Sequence, residues 1–291
     1  MLVRKLITKS MPLAVLLMLV VLGIASRVEA DSRRLDSDSK LAIRLYNEGG
    51  ELLDQEKFDQ AMGKLTRAIE EDPSFLQAHF RYMDVLRATG KSEQMVEEYR
   101  RKTLRNPESA LWIFLYGRAL DDPAEKRRQY RAALKADPGF YWAQYGIGGL
   151  CLLERRYDEA IIALNKTLEI KPGMFDALYL LGTVYLEKGM LIQARGKFED
   201  ALVADGTSAA VYLSLGRVYS QLERPGSAEK AFRKAAALEP ENPLPQYYIG
   251  LVCEMSGQKA RAIKAYESFL DIDPEHELAG IAADNIKRLR E

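Results

Sequence analysis

Only two histidines, His79 and His276, occur in the 291-residue chain, and a histidine-based catalytic or metal site would need partners beside one of them. His79 falls among apolar residues at helical spacing and His276 lies two residues past Pro274. Neither has the sequence partners that a catalytic or metal-binding group needs. The run YGIGGL over residues 145–150 carries Gly146, Gly148 and Gly149, but it lacks the third glycine of a phosphate loop and no strand precedes it. Gly257-Gln258-Lys259 reads as a turn between helices rather than a Walker motif. Asn165-Lys166-Thr167 is formally a glycosylation sequon, yet it sits inside a helical stretch. The sequence therefore predicts no catalytic residue, no cofactor and no metal, and points to a protein that binds rather than reacts.

A period organises the elements that carry these residues. Pro73, Pro107, Pro138, Pro172, Pro240 and Pro274 recur, with Gly206 in the one missing place, at intervals of 34, 31, 34, 34, 34 and 34 residues. A fixed period of this size means an array of one supersecondary unit. With the proline as position 32, position 8 reads Gly49, Met83, Gly117, Gly148, Gly182, Gly216 and Gly250. Position 20 reads Ala61, Met95, Lys126, Ala160, Ala194, Ala228 and Ala262, and position 24 reads Leu65, Tyr99, Tyr130, Leu164, Phe198, Phe232 and Tyr266. Each repeat holds two stretches with apolar residues at i, i+3, i+4 and i+7, such as 176–188 and 191–202 with Gly189 between them. Small residues at positions 8 and 20 let the two helices approach, and the bulky residue at position 24 fills the space beside the crossing. The proline, which has no amide hydrogen to donate, ends the second helix.

On these residues the chain resembles the tetratricopeptide-repeat family. Repeat five carries the family pattern in Leu178, Leu181, Gly182, Tyr185, Ala194, Phe198 and Ala201, and repeat six in Tyr212, Leu215, Gly216, Tyr219, Ala228, Phe232, Ala235 and Pro240. The resemblance implies an all-α fold: an α-solenoid of about seven helical hairpins in a right-handed superhelix, with repeats over 42–75, 76–109, 110–140, 141–174, 175–208, 209–242 and 243–276. A capping helix is expected over 277–291, with Leu278, Ile281, Ala282, Ile286 and Leu289 covering the apolar end of the stack. Repeat two places Met83, Met95 and Lys102 at small-residue positions, and repeat three is three residues short around 121–126. Less regular packing is expected in both. Cys151 and Cys253 share position 11 three repeats apart, beyond the ~7 Å reach of a disulfide, and are expected as buried thiols.

Residues 1–30 differ in kind. Arg4, Lys5 and Lys9 precede an apolar run over 11–25, and Val28-Glu29-Ala30 places small residues where a signal peptidase reads. Cleavage after Ala30 is the expectation, which makes the protein exported, periplasmic or secreted, with no membrane span left. The competing reading is an uncleaved anchor, although a run of about 15 residues is short of the ~20 that span a bilayer. Residues 31–41 are a polar leader with no apolar period. The chain balances 42 basic against 42 acidic residues. Without the first thirty there are 38 against 41, about −3, which argues against a general affinity for nucleic acid. Arg100, Arg101, Lys102 and Arg105 spread over several faces of a helix and read as solvated.

In the family, positions 2, 5, 9, 12 and 13 of the first helices face a groove. The resemblance makes Tyr46, Phe80, Phe114, Tyr145, Tyr179 and Tyr247 at position 5 candidates for partner binding, with Trp142 at position 2 and Asp84, Arg118, Thr183 and Arg217 at position 9. Leu213 breaks the aromatic row. Glu187, at position 13, is expected to be a solvated groove residue. The Lys and Asn that hold a peptide carboxylate in chaperone-binding members are absent, Tyr46 and Gly50 standing in their places in repeat one. The expected function is a non-enzymatic scaffold that holds an extended peptide or a partner protein in its groove, associated with a cell-envelope assembly. The alternative is a carbohydrate-binding or polysaccharide-export component whose rings stack on sugars.

Overall fold

The computed structural model describes residues 37–291, which contain fifteen α-helices and no strand. The expected signal peptide and most of the polar leader lie outside the described residues. Two compact units divide the chain, one ending at Glu154 and the other running from Arg155 to Glu291. The N-terminal unit holds α1 (Lys40–Asp54), α2 (Phe58–Glu71), α3 (Leu76–Ala88), α4 (Ser92–Arg105), α5 (Ala110–Ala119), α6 (Pro123–Ala136) and α7 (Tyr141–Leu153). The C-terminal unit holds α8 (Tyr157–Ile170), α9 (Phe175–Glu187), α10 (Leu191–Ala204), α11 (Ala209–Gln221), α12 (Pro225–Leu238), α13 (Leu244–Met255), α14 (Lys259–Ile272) and α15 (Ala279–Arg290). Helix α1 starts within the stretch read as leader, because the Ser39 hydroxyl accepts the Ala42 amide at 3.2 Å and caps it.

The helices pair where glycine faces a ring. A Cβ on Gly182 would stand 2.7 Å from Phe198 Cε1, and one on Gly250 would stand 2.5 Å from Tyr266 Cε1. Ala194, Ala228 and Ala262 are fully buried on the facing helices, so both backbones come close and the ring closes the gap. Repeat two lacks this arrangement. Met83 and Met95 are fully buried at its crossing, and α3 and α4 stand further apart than the helices of the other hairpins lying within one unit. Two thioether side chains hold the helices apart where a glycine and an alanine would let them meet.

Two kinds of turn repeat. Between the helices of a hairpin, position 15 is left-handed: Gly90, Gly189 and Gly257 at φ 71°, 79° and 71°, and Glu56, Arg155 and Glu223 at 57°, 58° and 57°. A side chain there costs about 1 kcal/mol. The short third repeat dispenses with this turn. Asp122 caps α6 by accepting the Glu125 amide at 2.8 Å, and Pro123 opens the helix. At the corners between repeats, the residue before proline is extended, as at Asp72, Asp137 and Asp273 with φ −138°, −139° and −144°. Their carboxylates accept the amides of Ser74, Gly139 and Glu275 at 2.9, 2.8 and 3.2 Å. Asp205 keeps the corner, at φ −148° with a 3.0 Å bond to the Thr207 amide, although Gly206 replaces the proline.

The last helix closes the C-terminal unit. Ala282, Ile286 and Leu289 of α15 join the core around Tyr247, Tyr266 and Phe269, and Arg288 pairs with Glu254 at 2.6 Å. Ile281, expected on the covering side, is exposed, since its neighbour Ala282 takes the inward position and one residue turns the helix by about 100°. No described helix is long and apolar enough to cross a membrane.

Candidate functional site on the first-helix faces

In the N-terminal unit the expected row of rings is packed rather than displayed. The Tyr46 ring lies 5.1 Å from Phe75, with the Arg81 guanidinium 4.2 Å above it. Phe80 meets Phe114 at 6.1 Å and Trp142 at 5.3 Å, and the Arg118 guanidinium covers its face at 4.1 Å. Phe114 is 2% exposed, held by Tyr130 at 5.1 Å and Phe140 at 5.4 Å. Trp142 is 9% exposed and stands edge-on to the half-buried Tyr145 at 5.9 Å. Flat side chains on successive first helices bury more surface by meeting each other than by facing water, and the mostly tilted and edge-on geometry is the one ring quadrupoles favour.

Beside this seam sits a cluster of charge. Asp84 and Arg87 of α3 pair at 3.4 Å, the Arg87 Nη2 donates to the Arg118 carbonyl at 2.8 Å, and the Arg81 Nη1 donates to the Tyr46 carbonyl at 3.5 Å. The Arg118 Nε is buried without a hydrogen-bond partner. Lys126, half-buried at the start of α6, lies within electrostatic reach of Arg87 and Arg118. Burial opposes the charge on Arg81, Arg87 and Lys126. Arg118 adds repulsion at Arg87, and Arg87 and Arg118 add it at Lys126. Burial also pushes the Asp84 carboxyl up, against the pull of Arg118, Arg87 and Arg81. Asp84 and Arg118 were legible as candidates from their shared position 9. Arg81 and Lys126 were missed because they fall at positions 6 and 20, outside the groove positions, and Arg87 stands at position 12, a groove position from which no candidate was drawn.

The C-terminal unit encloses most of its candidates. Tyr179 is half-buried, stacked on Phe175 at 6.2 Å and tilted against Phe198 at 5.7 Å. Thr183 is buried and its hydroxyl donates to the Tyr179 carbonyl at 3.0 Å, so the helix itself uses that group. Tyr247 is 4% exposed among Tyr248, Tyr266 and Phe269, and burial pushes its phenol up to about 12. Arg217 pairs with Glu187 at 3.5 Å. Glu187 is therefore not the solvated residue its position suggests, because the neighbouring first helix brings a guanidinium to it and both leave water together.

The residues with chemical potential are structural. His79 is fully buried, with Nδ1 2.8 Å from the Tyr99 hydroxyl and Nε2 3.0 Å from the Pro73 carbonyl, and burial pushes it down to about 4. The neutral ring thus joins a corner to the position-24 ring of its repeat. The His276 Nδ1 accepts the Leu278 amide at 3.1 Å. Both cysteine side chains are buried. Thr167 of the sequon is fully buried and donates to the Ala163 carbonyl at 3.1 Å. In the basic run of α4, Arg100 and Arg101 pair with Glu97. Lys102 pairs with Glu98 at 2.9 Å and reaches over the Tyr99 and Trp112 rings, so it is held rather than solvated.

Comparison with known proteins places this geometry. Residues 118–175 and 213–277 match the tetratricopeptide-repeat family model. The human protein O-mannosyl-transferase TMTC3 is 21% identical over 242 residues, covering 81% of this chain and 25% of that protein. The chain spans about a quarter and about a fifth of the lengths of the two curated relatives it matches. Among solved structures, YrrB, described as a TPR protein with an unusual peptide-binding site, aligns with a TM-score of 0.55 at 21% identity, over 65% of this chain and 99% of that one. A tetratricopeptide repeat protein from Parabacteroides merdae aligns with a TM-score of 0.53 at 14% identity, over 87% of this chain and all of that one. The helical hairpins, the glycine-against-ring crossings and these matches together identify the fold as an all-α tetratricopeptide-repeat solenoid, a scaffold type used for protein interaction.

Proposed function

We propose that the chain is a non-enzymatic scaffold that takes an extended peptide or a partner protein on its first-helix faces, and that it works outside the cytoplasm in a cell-envelope assembly. The observation that carries the binding reading is the pairing of a packed aromatic seam with accessible polar groups. Tyr145 and the Arg118–Asp84 neighbourhood are half-buried beside the rigid Trp142, the mix of fixed apolar body and polar tip found where interfaces concentrate their energy. A sugar-stacking role has less support, because the ring faces it needs at Tyr46 and Phe80 are covered by Arg81 and Arg118. The envelope reading rests on residues 1–30, and mass spectrometry of the native protein is expected to give Asp31 as its N-terminus. An intact Met1 in the membrane fraction would make the segment an anchor.

Affinity capture from the native envelope tests the binding reading. Trp142→Ala with Tyr145→Ala, and Tyr145→Ala alone, are expected to lose partners captured by the wild type, since aromatic anchors at interfaces commonly contribute about 2 kcal/mol each. Lys166→Ala, on the exposed side of α8, is expected to keep them. Unchanged capture by both aromatic variants, with full helical circular dichroism, would move binding off these faces.

A further inference from the structure

The arginines elsewhere that join one repeat to the next are matched by acids. Arg127 pairs with Glu154, Arg217 with Glu187, Arg261 with Glu229 and Arg288 with Glu254. Arg118 and Lys126 depart from that pattern. Neither has an ion pair among the described residues and both stand next to a third cation in Arg87; the buried Arg118 Nε has no acceptor, as is true of the Arg127 and Arg195 Nε, but those two side chains have acids and Arg118 does not. With the buried Arg81, four cations face three carboxylates, Asp54, Asp84 and Asp121, an excess of about one positive charge. Such a cluster lowers the stability of the protein that carries it, which is the signature of groups kept for a ligand.

The geometry indicates the kind of ligand. Arg81 and Arg118 lie over the rings of Tyr46 and Phe80, which fixes their guanidinium planes. A planar fork held in this way suits a carboxylate, which it meets through parallel hydrogen bonds. The resident Asp54, Asp84 and Asp121 set an upper bound on incoming charge, and about one carboxylate matches the excess. Trp142 and the half-buried Tyr145 adjoin the cluster through Phe80 and offer apolar contact to the residues beside that acid.

Resting on the scaffold reading above, we propose that Arg81, Arg87, Arg118 and Lys126 form a receiving site for an acidic peptide segment of the partner, with a glutamate or aspartate carboxylate taking the place of the missing counter-ion. The probe is a fluorescein-labelled nonapeptide of alternating glutamate and leucine, read by fluorescence anisotropy against its glutamine counterpart. The glutamate peptide is expected to bind at least tenfold tighter than the glutamine one and to weaken steeply as salt rises. Arg118→Gln is expected to lose tenfold or more and Lys126→Gln fivefold or more, while Arg131→Gln on the exposed side of α6 changes nothing. The thermal midpoint of Lys126→Gln is expected to stay or rise, which a purely structural lysine would not allow. Equal binding of the two peptides, no saturation into the millimolar range, undiminished binding by Lys126→Gln, or displacement by inorganic phosphate in preference to the peptide would each overturn the carboxylate site. If that happens while the Trp142 and Tyr145 variants still lose their captured partners, the scaffold reading survives and only the ligand chemistry falls.

Discussion

Glu187 on α9 and Arg217 on α11 form an ion pair at 3.5 Å with side chains only 11% and 7% exposed, so repeat five reaches repeat six through a charge contact taken out of water. Removing one partner leaves the other uncompensated, a loss of about 3–5 kcal/mol, whereas replacing both with apolar side chains of like volume is close to neutral. In urea unfolding, Glu187→Lys is therefore expected to lower the midpoint as much as Gly182→Leu, which overpacks the crossing against Phe198. The double variant Glu187→Leu with Arg217→Met is expected to recover most of the loss. A midpoint for Glu187→Lys within about 0.5 kcal/mol of wild type would mean the pair is open to solvent.

His79 makes stability depend on pH. Its folded value of about 4 lies below the ordinary 6.5, so the unfolded chain takes up the proton first as pH falls. Stability is full above about 6.5 and declines toward about 4, by a total on the order of 3 kcal/mol. Chemical denaturation at pH 7 and pH 5 is expected to show the decline in the wild type. His79→Gln is expected to be weaker at pH 7 and to lose less between the two. Parallel pH profiles would show that another group carries the dependence.

The corner at Gly206 is the one without proline. Asp205 is already extended there and a Cβ on Gly206 would meet nothing nearer than the Leu202 carbonyl at 3.8 Å, so Gly206→Pro is expected to stabilise by about 0.5–1 kcal/mol through the unfolded chain. Asp205→Ala is expected to cost about 1 kcal/mol or more, and more than Asp137→Ala, whose corner keeps Pro138. Calorimetric midpoints of the three variants decide this, and a destabilised Gly206→Pro would show that the corner needs a conformation closed to proline.

The fold was legible because its determinants are periodic and local: Gly182 under Phe198 and Gly250 under Tyr266 are visible as spacings before any contact is known. The candidate site was legible only in part. Position along a repeat places Tyr145, Asp84 and Arg118 on one face, but it does not say whether the next helix covers them, and for Thr183, Arg217, Phe114 and Tyr247 it does. Lys126 escaped because it stands at position 20 of a second helix, where alanine packs in most repeats, and Arg87 because nothing in its own repeat marks it as the neighbour of a cation from the next.

The aspartate corners bear on how far such a chain can drift. At Asp72, Asp137 and Asp273 the bend is specified by two independent devices, a ring that forbids the helix and a carboxylate that captures the next amide, and at Asp205 the second operates alone. Either letter can then be lost to mutation without the bend being lost. The interval between repeats is an error-tolerant code, and a search for such arrays by proline alone would miscount this one by a repeat.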